Sequence, residues 1–536
     1  MQSSKPSDTK PFWTAFFLMW AFVAGGACRF LPLMGTLYPV NDGGLFYTMV
    51  EDILRSGYAL PAYTSFNNAG IPFAYPPFGL YLAGALHSVF HIPLLSLFHW
   101  LPGIIDYLAI GAFYILAREI LGAREKAAVA TALFAVLPLP ILWLIMGGGL
   151  TRSLGLLFSL LTLWAAYRLF AGRGPGTLPA VIVFGSLLVL SHPQYSLLTL
   201  ILVLVTWVLC GRNKGASLRA VVAGAGILAL TSPWWLTVVL RHGVAPFLAA
   251  FATGNVGRNQ LSMVSLNLAG EPLLPIVMFL ALMGLIPAVR QKQLLLPVWL
   301  ILPSIVDAQH GGAMATVAVA MLACLGLVDF LLPALCAFWP RTAQSADLSN
   351  DGIAAFVRAS PAVGFILVFV LAYPLFNVQY VKSGVTPLRL TDSDLRAASW
   401  VTHETPPSSS FLVIEKVGDP MAVAIGEWLP ALTGRTNQSV VQGYEWLGGE
   451  NGMFARVRAW SELQACLEEG PECLDQWAQK HSRSFDYVLL KETPEEMSSG
   501  PSRKPTRLEE MLEVSPEYEL AYDGGDIRVF QVVEGE

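Results

Sequence analysis

The chain has 536 residues, 54% of them hydrophobic and only 13% charged, about half the charged share of a soluble globular domain. So few charges cannot cover so much apolar surface in water, which excludes an ordinary soluble enzyme and a disordered chain. Residues 1–383 carry 20 Lys and Arg against 12 Asp and Glu, a surplus of +8, whereas residues 384–536 carry 13 against 26, a deficit of −13. This division predicts an α-helical polytopic membrane bundle over 1–383 and a water-facing mixed α/β domain over 384–536. No basic stripe for nucleic acid is visible in either part.

In chain order, the first apolar run is Phe12–Leu33. It is too long for a signal-peptide core and lacks a clean cleavage site, so it reads as an uncleaved span. Further candidate spans near 98–120, 127–147, 153–172, 177–191, 194–211, 217–240, 272–289, 293–306, 313–338 and 361–379 bring the total to about eleven. With the N-terminus in the cytoplasm, Arg118, Arg124, Lys126, Arg168, Arg173, Arg212, Lys214, Arg219, Arg290, Lys292, Arg341 and Arg358 fall inside. Outside, before the tail, fall Arg29, Arg55, Arg152, Arg241 and Arg258. Residues 77–96 are apolar enough to span, but a span there would invert every later loop. They read as a re-entrant or surface-lying helix, the alternative being a compensating error elsewhere in the count.

This topology places loop 35–76, loop 241–271 and the tail on the outer face of the cytoplasmic membrane. Loop 1 opens with Asp42 and continues as a helix from Gly44 to Arg55, with Phe46, Met49, Val50, Ile53 and Leu54 on one face and Glu51 paired to Arg55 on the other. Such a helix is expected to lie flat on the outer leaflet with Asp42 at its N-terminal end. Later outer turns offer Arg152 in MGGGLTRSLG, where three glycines permit close backbone approach to a ligand, and His192 in LSHPQYS. They also offer Arg258 in TGNVGRNQ, and Asp307 with His310 in VDAQHGG. Each has a plainer reading: a snorkelling arginine, a His-Pro break between spans, a solvated loop, and too few ligands for a metal. Asp106 lies within an apolar stretch and has Arg29 as a candidate partner.

The tail predicts a helix at 392–401 capped by Asp392 or Ser393, strands at 411–415 and 487–490, a helix at 454–469, a loop at 493–507, and a hairpin over 518–533 turning at Asp523-Gly524-Gly525. Cys466 and Cys473 can bridge if the tail is outside the cytosol, while Cys28, Cys210, Cys324 and Cys336 read as core residues. Trp428, Tyr444 and Trp446 sit in Gly-rich aromatic turns, suited to core packing or sugar stacking and expected to contact the bundle if the domain rests on it.

Asp42 after the first span, the amphipathic stretch ending in Arg55-Ser56-Gly57, and Tyr75-Pro76-Pro77 leading into an apolar helix together resemble a known group. These features are similar to those of GT-C-type membrane glycosyltransferases that use polyprenyl-phosphate-linked sugars, the bacterial relatives of protein mannosyltransferases and aminoarabinose transferases. Many members carry Asp-Glu where this chain has Asp42-Gly43, and the later pair Glu51-Asp52 is not the same feature. The layout of spans, outer first loop and C-terminal outer domain matches over the whole chain, and the motif itself covers about 40 residues.

The resemblance implies an inverting glycosyltransferase moving a sugar from a polyprenyl-phosphate donor to a glycan, lipid or protein acceptor at the outer face. Asp42 is then the base or orienting carboxylate, its plainer role being a helix cap or turn. Arg152, His192, Arg258, Tyr75, Glu51 and Asp52 are candidate substrate contacts. No cofactor is fixed and a divalent metal stays open, since relatives carry an Asp where this chain has Gly residues and Arg152. The alternatives are a non-catalytic protein of the same scaffold and, last, a transporter, for which no inverted pair of broken spans is evident.

Overall fold

The computed structural model describes residues 11–172, 176–253, 270–307, 311–337, 361–449, 452–492 and 505–533. Arg258, His310 and most of the expected loop 493–507 lie outside the described residues.

The bundle runs through α1 (Pro11–Phe30), α2 (Gly44–Arg55), α3 (Phe78–Phe90), α4 (Leu94–Leu121), α5 (Arg124–Phe134), α6 (Leu139–Leu142), α7 (Gly149–Phe170), α8 (Thr177–Val189) and α9 (Pro193–Cys210). It continues through α10 (Lys214–His242), α11 (Ala245–Thr253), α12 (Ile276–Arg290), α13 (Leu295–Val306), α14 (Gly311–Leu325), α15 (Pro361–Ala372) and α16 (Phe376–Val385). Among the described residues, seven helical stretches are long and apolar enough to cross a membrane, and α3, α8, α12 and α13 are shorter apolar helices. The protein is an integral membrane protein.

Two expected segments differ in form. The stretch 127–147 is not one helix: α5 has 11 residues, about 16 Å, well short of a hydrocarbon core. Pro138 and Pro140 end the regular ladder beyond it. Alanine-rich α5 is buried along nearly its whole length, so it is a core helix. Within residues 77–96 the separate 13-residue α3 stops at His91 in the left-handed region (φ 55°), and Pro93 caps the start of α4 at Leu94.

Arg29 and Asp106 pair at 2.7 Å, both fully buried. Arg29 also donates to the Gly25 and Ala135 carbonyls, so a single guanidinium ties α1, α4 and the end of α5. Elsewhere α12 and α14 pack backbone to backbone, because Gly284 faces the Leu322 carbonyl and Gly326 faces the Leu280 carbonyl with no Cβ between them.

The tail folds around a five-stranded sheet of order β2-β1-β3-β5-β4. Its strands are β1 (Ser410–Glu415), β2 (Thr436–Asn437), β3 (Tyr487–Lys491), β4 (Tyr518–Asp523) and β5 (Ile527–Val532). The β2, β1 and β3 strands are parallel, and β5 and β4 continue antiparallel. Alternation along β1 and β3 sends Leu412, Ile414, Val488 and Leu490 to one core and Phe411, Val413, Tyr487 and Leu489 to the other.

The surrounding helices are α17 (Asp392–Glu404), α18 (Ala424–Thr433), α19 (Met453–Glu469), α20 (Pro471–His481) and α21 (Arg507–Val514). The α17 cap is Thr391 rather than Asp392 or Ser393. Its hydroxyl accepts from the Asp394 backbone N–H while Asp394 accepts from the Thr391 N–H, a reciprocal capping box. Cys466 and Cys473 are disulfide-bonded.

Candidate functional site

The chain leaves α1, pairs briefly with the approach to the tail (Val40 opposite Arg389), and turns sharply at Asn41-Asp42-Gly43. Asn41 adopts φ 55°, and Gly43 adopts φ 125°, which disfavours any side chain. A Cβ on Gly43 would also lie 2.9 Å from the Gly147 backbone. The turn is locked to the Gly-rich segment before α7. The Gly147 N–H donates to the Val40 carbonyl at 2.9 Å, and the Gly148 N–H reaches both the Asp42 carbonyl (3.0 Å) and Asp42 Oδ1 (3.1 Å).

Asp42 therefore sits at the N-terminal end of α7, where the backbone dipole favours a negative charge. One turn into α7, the Arg152 guanidinium forms an ion pair with Asp42 Oδ2. Arg152 also donates to the Trp143 carbonyl and lies over the Trp143 ring. The three glycines permit a close approach, and the group that approaches is Asp42: a Cβ on Gly148 would stand 2.5 Å from Oδ2. A carboxylate offers about four acceptor positions, so Asp42 keeps capacity for an incoming hydroxyl.

Tyr75 and His192 join this centre. The Tyr75 hydroxyl bonds Thr151 Oγ1 at 2.9 Å, one residue before Arg152, and burial pushes the phenol up to about 12. Its ring meets Phe46 (4.5 Å between centroids), Trp446 (5.7 Å) and His192 (6.5 Å). His192 also caps α9, its Nδ1 accepting from the Tyr195 N–H at 3.4 Å.

Glu51 and Asp52 lie about two turns further along α2. Asp52 accepts from Thr64 Oγ1, Ser65 N–H, Ser65 Oγ and Arg55, and Glu51 pairs with Arg55 at 2.8 Å. Their polar contacts fasten loop 1 to itself, and the structure does not bring them to Asp42. Nor does α2 present its apolar face to a leaflet. Leu45, Met49, Val50 and Ile53 are buried, with α3 on one side and tail helix α18 on the other.

The residue sequence reasoning missed is Glu427, on α18. Its Oε1 accepts from the Gly43 N–H (3.2 Å) and the Leu45 N–H (2.9 Å), two free donors at the start of α2. Burial first, and then the Asp42 charge, raise this carboxyl to about 8, against the pull of those two hydrogen bonds. Glu445, in the turn Tyr444–Trp446, is likewise raised by burial, against the pull of hydrogen bonds from the Glu445 and Gly443 backbone and then of the Arg152 charge. Next to Glu427, the Trp428 indole donates to the Asn41 carbonyl at 2.7 Å. Asn67 joins the seam, donating to the Asn437 carbonyl and Tyr444 hydroxyl and accepting from the Asn437 N–H. The aromatic turns 426–436 and 442–449 thus form the contact between tail and loop 1. An acid in the otherwise apolar AIGEWLPALT was the available signal.

Among the described residues, no three His, Cys, Asp or Glu side chains converge as ligands for a metal ion. With no such set of ligands converging and Asp42 Oδ2 already paired with the Arg152 cation, the described residues do not fit a carboxylate-held cation, and no chemical step is routed through one.

No known family model matches the chain, and no curated protein sequence is similar to it. Solved structures are similar in fold. The oligosaccharyltransferase AglB of Archaeoglobus fulgidus, in complex with an inhibitory peptide and a dolichol-phosphate, superposes with a TM-score of 0.60 at 14% identity, over 90% of this chain and 70% of that one. ArnT of Cupriavidus metallidurans superposes with 0.54 at 14% identity, over 97% and 98%. The chain has the GT-C fold. The mycobacterial arabinofuranosyltransferase AftD gives 0.58 at 14% identity over 99% of this chain, which spans 41% of AftD. In this GT-C chain the loop between α1 and α3, the start of α7 and the tail turns meet around Asp42.

Proposed function

We propose that the chain is an inverting membrane glycosyltransferase that moves a sugar from a polyprenyl-phosphate donor to a glycan, lipid or protein acceptor of the cell envelope, at the outer face of the cytoplasmic membrane. The observation that carries this reading is the ion pair of Asp42 with Arg152 at the N-terminus of α7, within a GT-C fold. The ArnT fold neighbour has also been solved bound to undecaprenyl phosphate, with a TM-score of 0.52 at 15% identity.

In this reading the acceptor hydroxyl docks on Asp42, which takes its proton as the oxygen attacks the anomeric carbon. The bond from that carbon to the phosphate oxygen breaks, and its electron pair leaves with the polyprenyl phosphate. Arg152 stabilises the departing phosphate. His192 and Tyr75 flank the donor, Arg258 on the outer loop adds a further phosphate contact, and Glu51 and Asp52 maintain the loop that carries Asp42 to the substrate. The purified chain, given undecaprenyl-phosphoryl sugars and envelope acceptors, is expected to release undecaprenyl phosphate and form a glycosylated product. Failure with every donor and acceptor, while undecaprenyl phosphate still binds, would favour a non-catalytic binder on the same scaffold. The engagement of Arg152 by Asp42 and the Trp143 carbonyl is the observation that favours this second reading.

A further inference from the structure

We propose that Glu427 and Glu445 form a sugar-recognition pair, two carboxyls that the C-terminal region lends to the loop-1 site to bind hydroxyl groups of the transferred glycosyl unit. The inference rests on the glycosyltransferase reading above and adds to it the class of sugar accepted.

Glu427 is 2% exposed. Only its Oε1 is used, by the Gly43 and Leu45 N–H groups beside Asp42. Its Oε2 is buried and meets no hydrogen-bond partner among the described residues, and the same holds for Glu445 Oε2. A buried carboxyl oxygen without a partner costs free energy. Fastening the start of α2 needs one acceptor oxygen, which a glutamine would supply without burying an acid. Glu427 and Glu445 act on each other electrostatically, and with Glu427 carrying its proton at neutral pH the two oxygens suit a ligand whose groups both donate and accept hydrogen bonds, as sugar hydroxyls do.

The surroundings fit a sugar. Glu445 is flanked by Trp446, whose ring meets Tyr75, and Tyr75 reaches the residue next to Arg152 through Thr151. Phe46 also lies against Tyr75. Aromatic faces beside carboxyls suit the C–H and O–H faces of a pyranose. Above about pH 8, where Glu427 is ionised as well as Asp42, their charges outweigh Arg152 and the centre disfavours a glycosyl unit that carries its own negative charge.

The test measures binding of undecaprenyl phosphate, neutral undecaprenyl-phosphoryl hexoses and an undecaprenyl-phosphoryl hexuronate to the full chain in detergent, above about pH 8 where Glu427 is ionised. The best neutral hexose is expected to bind about tenfold tighter than undecaprenyl phosphate alone, and the hexuronate to show no such gain. E427Q/E445Q, which keeps shape and the acceptor for α2, is expected to lose the gain while undecaprenyl phosphate binding stays within about twofold. Survival of the gain in the double variant, or an equal gain with hexuronate, overturns the pair's role and leaves the donor reading intact. Absence of undecaprenyl phosphate binding overturns both. Saturable Mn²⁺ binding that E427Q/E445Q abolishes, with no effect on sugar, would reassign the pair to a cation.

Discussion

Trp428 donates its indole N–H to the backbone carbonyl of Asn41, 2.7 Å away, across 387 residues of sequence. The bond pins the residue before Asp42 to the tail, so the geometry of loop 1 depends on the C-terminal region. Trp428 is fully buried, with Tyr47 and Phe98 edge-on to its ring. Replacing it with Ala is expected to cost about 3–5 kcal/mol, and with Phe, which leaves the Asn41 carbonyl unpaired, about 1–3 kcal/mol. Thermal unfolding in detergent checks the order; equal losses for the two variants would rule out a distinct role for the hydrogen bond.

Glu427 sets a pH dependence. Its carboxyl is raised to about 8 in the folded chain, against about 4.3 unfolded. The native state therefore holds a proton that the unfolded state releases, and this group's contribution to stability falls as pH rises between those values. E427Q has no such proton. Its Tm relative to wild type should climb from pH 5 to pH 8 and level off above; a pH-independent difference contradicts the assignment.

Asp106 and Arg29 are fully buried together. Removing one partner strands the other charge, at a cost of about 3–5 kcal/mol, whereas replacing both with apolar residues is close to neutral. D106L alone is expected to reduce folded yield sharply and R29M/D106L to restore it, as read by size-exclusion profile and Tm. A double variant as poor as the single one would refute a purely structural pair.

Gly148 is the point where α7 meets Asp42. Its backbone is helical (φ −66°) and accepts alanine, but the new Cβ would press on the Asp42 carboxylate, 2.5 Å from Oδ2 and 2.7 Å from Cγ. G148A is expected to fold and to lose transfer by about tenfold or more, as the carboxylate is displaced. Unchanged transfer would show that the position of Asp42 is not critical.

The bundle, four of the five tail strands, and Asp42 and Arg152 as candidates were legible because each is marked locally: apolar runs by length, strands by alternation, Asp42 and Arg152 by being rare charges at span ends. The cap of α17 was misplaced by one residue because Thr391, Asp392 and Ser393 can all cap, and only the reciprocal bond with Asp394 decides. The burial of α2 between α3 and α18 was not legible. Its amphipathic pattern says which face is covered, not whether lipid or another helix covers it. Glu427 escaped for the same reason: its role exists only once α18 lies against Gly43, a contact that no local spacing encodes.

The most direct test is the transfer rate of Asp42→Asn against wild type, in purified protein with a donor and acceptor that the wild type uses. Asparagine keeps the shape and can accept a hydrogen bond, but it cannot take the acceptor's proton. If Asp42 is the base, the rate falls about 10²–10⁴-fold with unchanged folding and retained binding of undecaprenyl phosphate. Transfer at the wild-type rate by the Asn variant would contradict that role.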